Sequence, residues 1–139
     1  MKYLVLAIII TISASRIAAA VDSTKTPCTT PSLQEYEKLH PGVMQLNKQM
    51  KQPELTRRVE VRIPDSLKKT TEKIGTTILV AVLNTKGLLN DICILRKSEK
   101  REWDTAAIDA VSKWKYRPAK KDGTVIAVFI VVTVRPHYR

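Results

Sequence analysis

The sequence predicts an α+β domain, a three-stranded antiparallel sheet with two helices on one face. Three stretches carry that expectation. Residues 103–114 place Trp103, Ala107, Ala110, Val111 and Trp114 at i, i+4, i+7, i+8 and i+11, one apolar stripe of a helix. Residues 76–84, TTILVAVLN, are apolar on both faces and run into the turn Asn84-Thr85-Lys86-Gly87. Residues 124–134, TVIAVFIVVTV, form a long run rich in β-branched residues, closed by Pro136. A helix with one apolar face needs a sheet beneath it, and the strands around it supply one.

Taken in order, residues 33–39 read as a short helix, with Ser32 as N-cap and Glu35 as its capping-box partner. Pro41-Gly42 ends it, and residues 44–50 suggest another short turn before Pro53. Val59, Val61 and Ile63 alternate with Arg58, Glu60 and Arg62, the period of a short strand or extended arm that Pro64 stops. Asp65 or Ser66 caps a helix through about Glu72, and Gly75 opens the first main strand. Residues 88–97 return from the Gly87 turn, with Leu89, Ile92 and Ile94 among Asn90, Asp91 and Arg96. The Trp103 helix carries Glu102 and Asp104 at its start and Lys113, Lys115 and Arg117 towards its end, each sign opposing the helix dipole. Pro118 stops it, and Lys120-Lys121-Asp122-Gly123 makes a second turn into the last strand. In this arrangement residues 76–84 lie in the middle of the sheet and residues 124–134 at an edge. So apolar a strand at an edge invites pairing with another strand.

The N-terminus reads as a secretory signal peptide over residues 1–20. Lys2 precedes the apolar run from Tyr3 to Ile12, and Ala18-Ala19-Ala20 offers a cleavage site before Val21. The apolar run before Arg16 is about 13 residues, short of the roughly 20 that span a bilayer. The competing reading is an uncleaved inner-membrane anchor. Residues 21–56 read as a flexible leader, and residues 57–139 as the domain. The net charge of +11 would fall to +9 as Lys2 and Arg16 leave with the signal. Export argues against nucleic acid as partner and leaves anionic envelope polymers or lipid head groups as targets for the basic surface, whose bland reading is solubility. In an oxidising compartment Cys28 and Cys93 can pair, closing a loop worth about 4 kcal/mol; the alternative is two separate thiols.

The residues offer no enzyme chemistry. His40 and His137 stand apart from any second ligand at metal spacing, no glycine-rich phosphate loop is present, and no motif frames a nucleophile. No cofactor or metal is expected. Trp103 and Trp114 read as core residues rather than stacking platforms. Lys113, Lys115, Arg117, Lys120 and Lys121 read as solvated charges beside an anion-binding alternative.

Several motifs occur in one order. Gly75 precedes an alternating strand and Asn84-Thr85-Lys86-Gly87. Asp91-Ile92-x-Ile94-Leu95-x-x-Ser98 follows, then Asp104-x-Ala106-Ala107-x-x-Ala110-Val111-x-x-Trp114-x-Tyr116-x-Pro118-Ala119, Asp122-Gly123 and a closing strand. With Ile63-Pro64 where the family has Tyr-Pro, residues 57–135 resemble the C-terminal domain of TonB. The resemblance implies a periplasmic domain whose last strand pairs with an extended peptide of an outer-membrane receptor or another envelope protein. Val125, Ile126, Val128, Ile130, Val132 and Val134 are the expected binding strand, with Ile63 and Pro64 nearby, and the same edge could pair two copies of the chain. A second reading is a short membrane-anchored energy transducer. Against it, the chain has no long proline-rich spacer and no histidine in its apolar N-terminal segment. A third reading is a secreted basic protein that binds envelope polymers.

Overall fold

The structure is a computed structural model that describes residues 28–138. The expected signal peptide and the first part of the leader lie outside these residues. In chain order the elements are α1 (Leu33–Lys38), β1 (Met44–Gln45), β2 (Glu54–Arg57), α2 (Asp65–Lys68), β3 (Thr77–Leu83), β4 (Leu89–Arg96), α3 (Arg101–Ser112), β5 (Lys115–Arg117), β6 (Lys120–Lys121), β7 (Thr124–Val125) and β8 (Val128–Val134). The architecture is α+β.

The main sheet has the order β1-β8-β3-β4. β3 lies inside it, antiparallel to both long neighbours, from Thr77 opposite Val134 to Leu83 opposite Val128 along β8. The β3–β4 turn forms because Asn84 Oδ1 accepts from the N–H groups of Lys86 and Leu88, at 2.9 and 3.0 Å. Gly87 is required twice there: its φ is +81°, and a Cβ would lie 1.9 Å from the Tyr116 carbonyl oxygen.

Each face of β3 is covered, which accounts for its two-sided apolarity. On one face Leu79, Ala81 and Leu83 join Val128, Ile130, Val132 and Val134 of β8 beneath Trp103, Ala107 and Val111 of α3, with Leu67 of α2 at the margin. On the other, Val80, Val82, Cys93 and Phe129 pack around Tyr36 of α1. Asp104 of α3 is 3% exposed, and its Oδ1 accepts from Thr77 Oγ1 at 2.6 Å and from the Ser98 N–H at 3.0 Å. A buried carboxylate thus ties α3 to the start of β3 and the end of β4.

Five expectations change. The sheet has a fourth strand, the two-residue β1, so β8 is not a bare edge along its whole length. Residues 28–56, expected within a leader, carry α1 and β1 against the sheet, where Tyr36 is fully buried and Met44 N–H donates to the Ala127 carbonyl at 3.2 Å. α3 stops at Ser112, not near Pro118, because Lys115–Arg117 leave the helix to pair with β2. Trp114 lies past the helix, where its indole N–H donates to the Val59 carbonyl at 2.8 Å. α2 ends at Lys68, short of Glu72, and starts at Pro64 without a side-chain cap. The alternation at Val59, Val61 and Ile63 is an extended arm whose apolar side packs on the main core.

Candidate strand-pairing site

β8 brings together only part of the expected binding residues. Val125 belongs to a separate hairpin, in which β7 pairs with β6 and Lys120 faces Val125. Ile126 donates its N–H to the Ala119 carbonyl at 3.0 Å. Neither residue is on the edge, because the chain crosses from this hairpin before β8 begins. Val128, Ile130, Val132 and Val134 are on the strand, but their side chains fill the core under α3. Ile63 packs on that core from the arm, and the carbonyl of Pro64 accepts from Leu67 and Lys68 at the start of α2.

The backbone decides which residues face outward. In a strand, the N–H and C=O of one residue point to the same side and alternate along the chain. The Ala127 carbonyl accepts from Met44, so Ala127 faces away from β3. By that alternation Phe129, Val131 and Thr133 also present their backbone groups outward, while Val128, Ile130, Val132 and Val134 bond towards β3. β1 runs parallel to β8, with Met44 opposite Val128 and Gln45 opposite Phe129, and occupies the first part of this edge. Past it, no described strand pairs with Val131 or Thr133 on the outer side. Val131 is 49% exposed although apolar, and Thr133 is exposed. The outward-facing residues that side-chain reasoning missed are therefore Val131 and Thr133. The signal lay in Thr133, the one polar residue within the apolar run from Val125 to Val134.

Beside the end of β1 is an open cavity of about 460 Å³, lined among others by Leu46, Gln52, Pro53, Tyr116, Phe129 and Val131. Burial pushes the Tyr116 phenol above its ordinary pKa, against the opposing effect of the Arg58 guanidinium. At neutral pH Tyr116 keeps its proton, so the cavity holds a hydroxyl that can donate or accept.

The opposite edge is finished differently. Cys28 and Cys93 are joined in a disulfide. Thr29 bridges to Ile94 in parallel, with Thr30 N–H donating to the Ile94 carbonyl at 3.0 Å and Ile94 N–H to Cys28 at 2.7 Å. Asp91, at φ +51°, interrupts the β4 ladder, and its carbonyl accepts from the Tyr36 hydroxyl at 2.5 Å. Burial first, and then the Asp91 charge, push the Tyr36 phenol up to about 12.

The basic residues near β5 are dispersed by partners. Lys113 pairs with Asp109 at 3.0 Å and Arg117 with Glu54 at 2.5 Å, while Arg57 stands opposite Lys115 across the β2–β5 ribbon. Among the described residues no group of three or more His, Cys, Asp or Glu side chains is placed to hold a metal, and no helix is long and apolar enough to cross a membrane.

A central β3, a helix α3 with one buried face and a last strand whose outer edge is partly open define a small α+β domain. The family described as Gram-negative bacterial TonB protein C-terminal matches residues 64–136, and the chain belongs to it. Among solved structures the chain is similar to the Pseudomonas aeruginosa TonB C-terminal domain determined by solution NMR. The two are 18% identical, with 67% of this chain and 92% of that chain covered and a TM-score of 0.49. No curated protein matches the sequence.

Proposed function

We propose that this chain is a periplasmic binding module that captures an extended segment of an outer-membrane receptor, or of another envelope protein, on the outer edge of β8. The observation that carries this reading is the outward-facing backbone of Val131 and Thr133, left without a strand beside an exposed Val131. Strand addition draws its affinity from such main-chain groups and its specificity from neighbouring side-chain pockets, here the cavity at Tyr116 and Phe129. Membership of the TonB C-terminal family supports the same reading. The module works by binding and not by catalysis.

The test is a titration of the exported protein with synthetic peptides from the periplasm-facing N-termini of outer-membrane receptors, followed by amide chemical shifts. Binding should move the Val131 and Thr133 amides first, and shifts confined to the β4 edge would refute the assignment.

A second reading, attachment to anionic envelope polymers, draws support from Arg57 facing Lys115, since like charges directly opposite each other are unfavourable without a counterion. It predicts peptidoglycan or lipopolysaccharide binding that weakens with salt. Binding unaffected by salt would remove it.

A further inference from the structure

The segment before the family-matched region crosses the sheet from one edge to the other. It begins at the disulfide on β4, passes over the second face as α1, held by the buried Tyr36, and ends as β1 on β8. Gln45 at its end is also fastened back to α1, where its side-chain amide donates to Glu37. β1 takes the outward groups of Ala127 and Phe129, while those of Val131 and Thr133 stay open. Half of the backbone groups that an incoming strand would need are thus already in use.

We propose that residues 28–45 form a tethered strap whose last two residues compete with a partner for the binding edge. The inference rests on the reading of β8 as that edge. A two-residue strand holds little by itself, because each backbone bond contributes a small net amount. What keeps β1 in place is its tether. Two fastenings upstream, the Cys28–Cys93 bond and the Tyr36 anchor, hold it near Val128 at an effective concentration on the order of millimolar. A partner that pairs only with Val131 and Thr133 gains a short ladder. One that pairs along the whole strand must first displace Met44 and Gln45. The strap therefore selects for segments that bind strongly enough to remove it, and cutting the disulfide weakens the competitor without touching the edge.

The probe is a synthetic peptide of residues 41–47, PGVMQLN, titrated against the exported chain while the Phe129 and Val131 amides are followed. Met44→Pro removes the N–H that bonds Ala127 and so frees the edge. Its affinity for the peptide should rise about tenfold over the wild type, with the reduced wild type in between. Equal affinity in the wild type and a folded Met44→Pro, or no binding to that variant, overturns the strap. If Met44→Pro does not fold, the reduced wild type decides, and an affinity unchanged by reduction overturns it. The two readings separate cleanly. Peptide binding by Met44→Pro with no binding of receptor segments would sink the proposed function and leave the strap in place. Receptor segments that bind wild type and Met44→Pro alike would do the reverse.

Discussion

Along β4 the ladder is broken by Asp91, covered by Thr29 at Ile94 and closed by a disulfide at Cys93; along β8 seven residues pair with β3 without a register shift, and only Val128 and Phe129 have an outer neighbour. Both strands lie beside the same β3 and share its two cores. The difference shows how a small sheet can expose one edge without inviting association at the other. A bulge, a bridging segment and a covalent bond protect β4, whereas β8 keeps the straight, regular backbone that a pairing strand requires.

Breaking the protection of β4 should have the largest effect on stability. The disulfide spans 65 residues, and its reduction should cost about 4 kcal/mol in the chain-entropy picture. Denaturant midpoints with and without reductant measure this, and amide exchange should rise at Thr30 and Ile94 before it rises along β3 and β8. A uniform rise would erase the distinction between the edges. Asp104→Ala acts at neither edge. It leaves the Thr77 hydroxyl and the Ser98 N–H without their acceptor, at about 3 kcal/mol, and should lower stability while peptide affinity per folded molecule stays constant.

Tyr36→Phe removes a single hydroxyl between the strap and β4, and should cost about 1 kcal/mol. It also has a pH signature. The Tyr36 phenol is raised from 10.0 to about 12 in the folded chain. The folded state therefore holds its proton more tightly than the unfolded one, and the contribution is complete below pH 10. It is lost as pH rises from 10 towards 12. Wild-type stability should decline across that window, and Tyr36→Phe should decline less. Parallel curves for the two proteins would remove Tyr36 as the source.

Much of the fold was legible in the sequence, because it rests on local periodicity. Trp103, Ala107 and Val111 marked the buried face of α3, Gly87 marked the turn between β3 and β4, and the two-sided apolarity of residues 77–83 placed β3 in the middle. The end of α3 was not legible, since Lys115–Arg117 leave the helix for a partner strand more than 50 residues earlier in the chain. Nor was the cover on the second face. Tyr36 is one aromatic in a polar segment, and its burial follows from long-range contacts with Val80, Val82 and Phe129. The edge was half legible. The run from Thr124 to Val134 signalled an apolar strand, but its side-chain pattern pointed to the core-facing residues. The open backbone belongs to the residues between them, and that parity follows from the bond between Met44 and Ala127.

The most direct measurement uses this parity. Val131→Pro deletes an N–H that points away from β3, so the ladder with Val80 on the other side is retained and the domain should stay within about 1 kcal/mol of wild-type stability. Receptor-segment affinity, measured by calorimetry on the folded variant, should fall at least tenfold, the loss of about one well-formed bond and its neighbours. A folded Val131→Pro that binds these segments as tightly as the wild type would contradict strand pairing at β8.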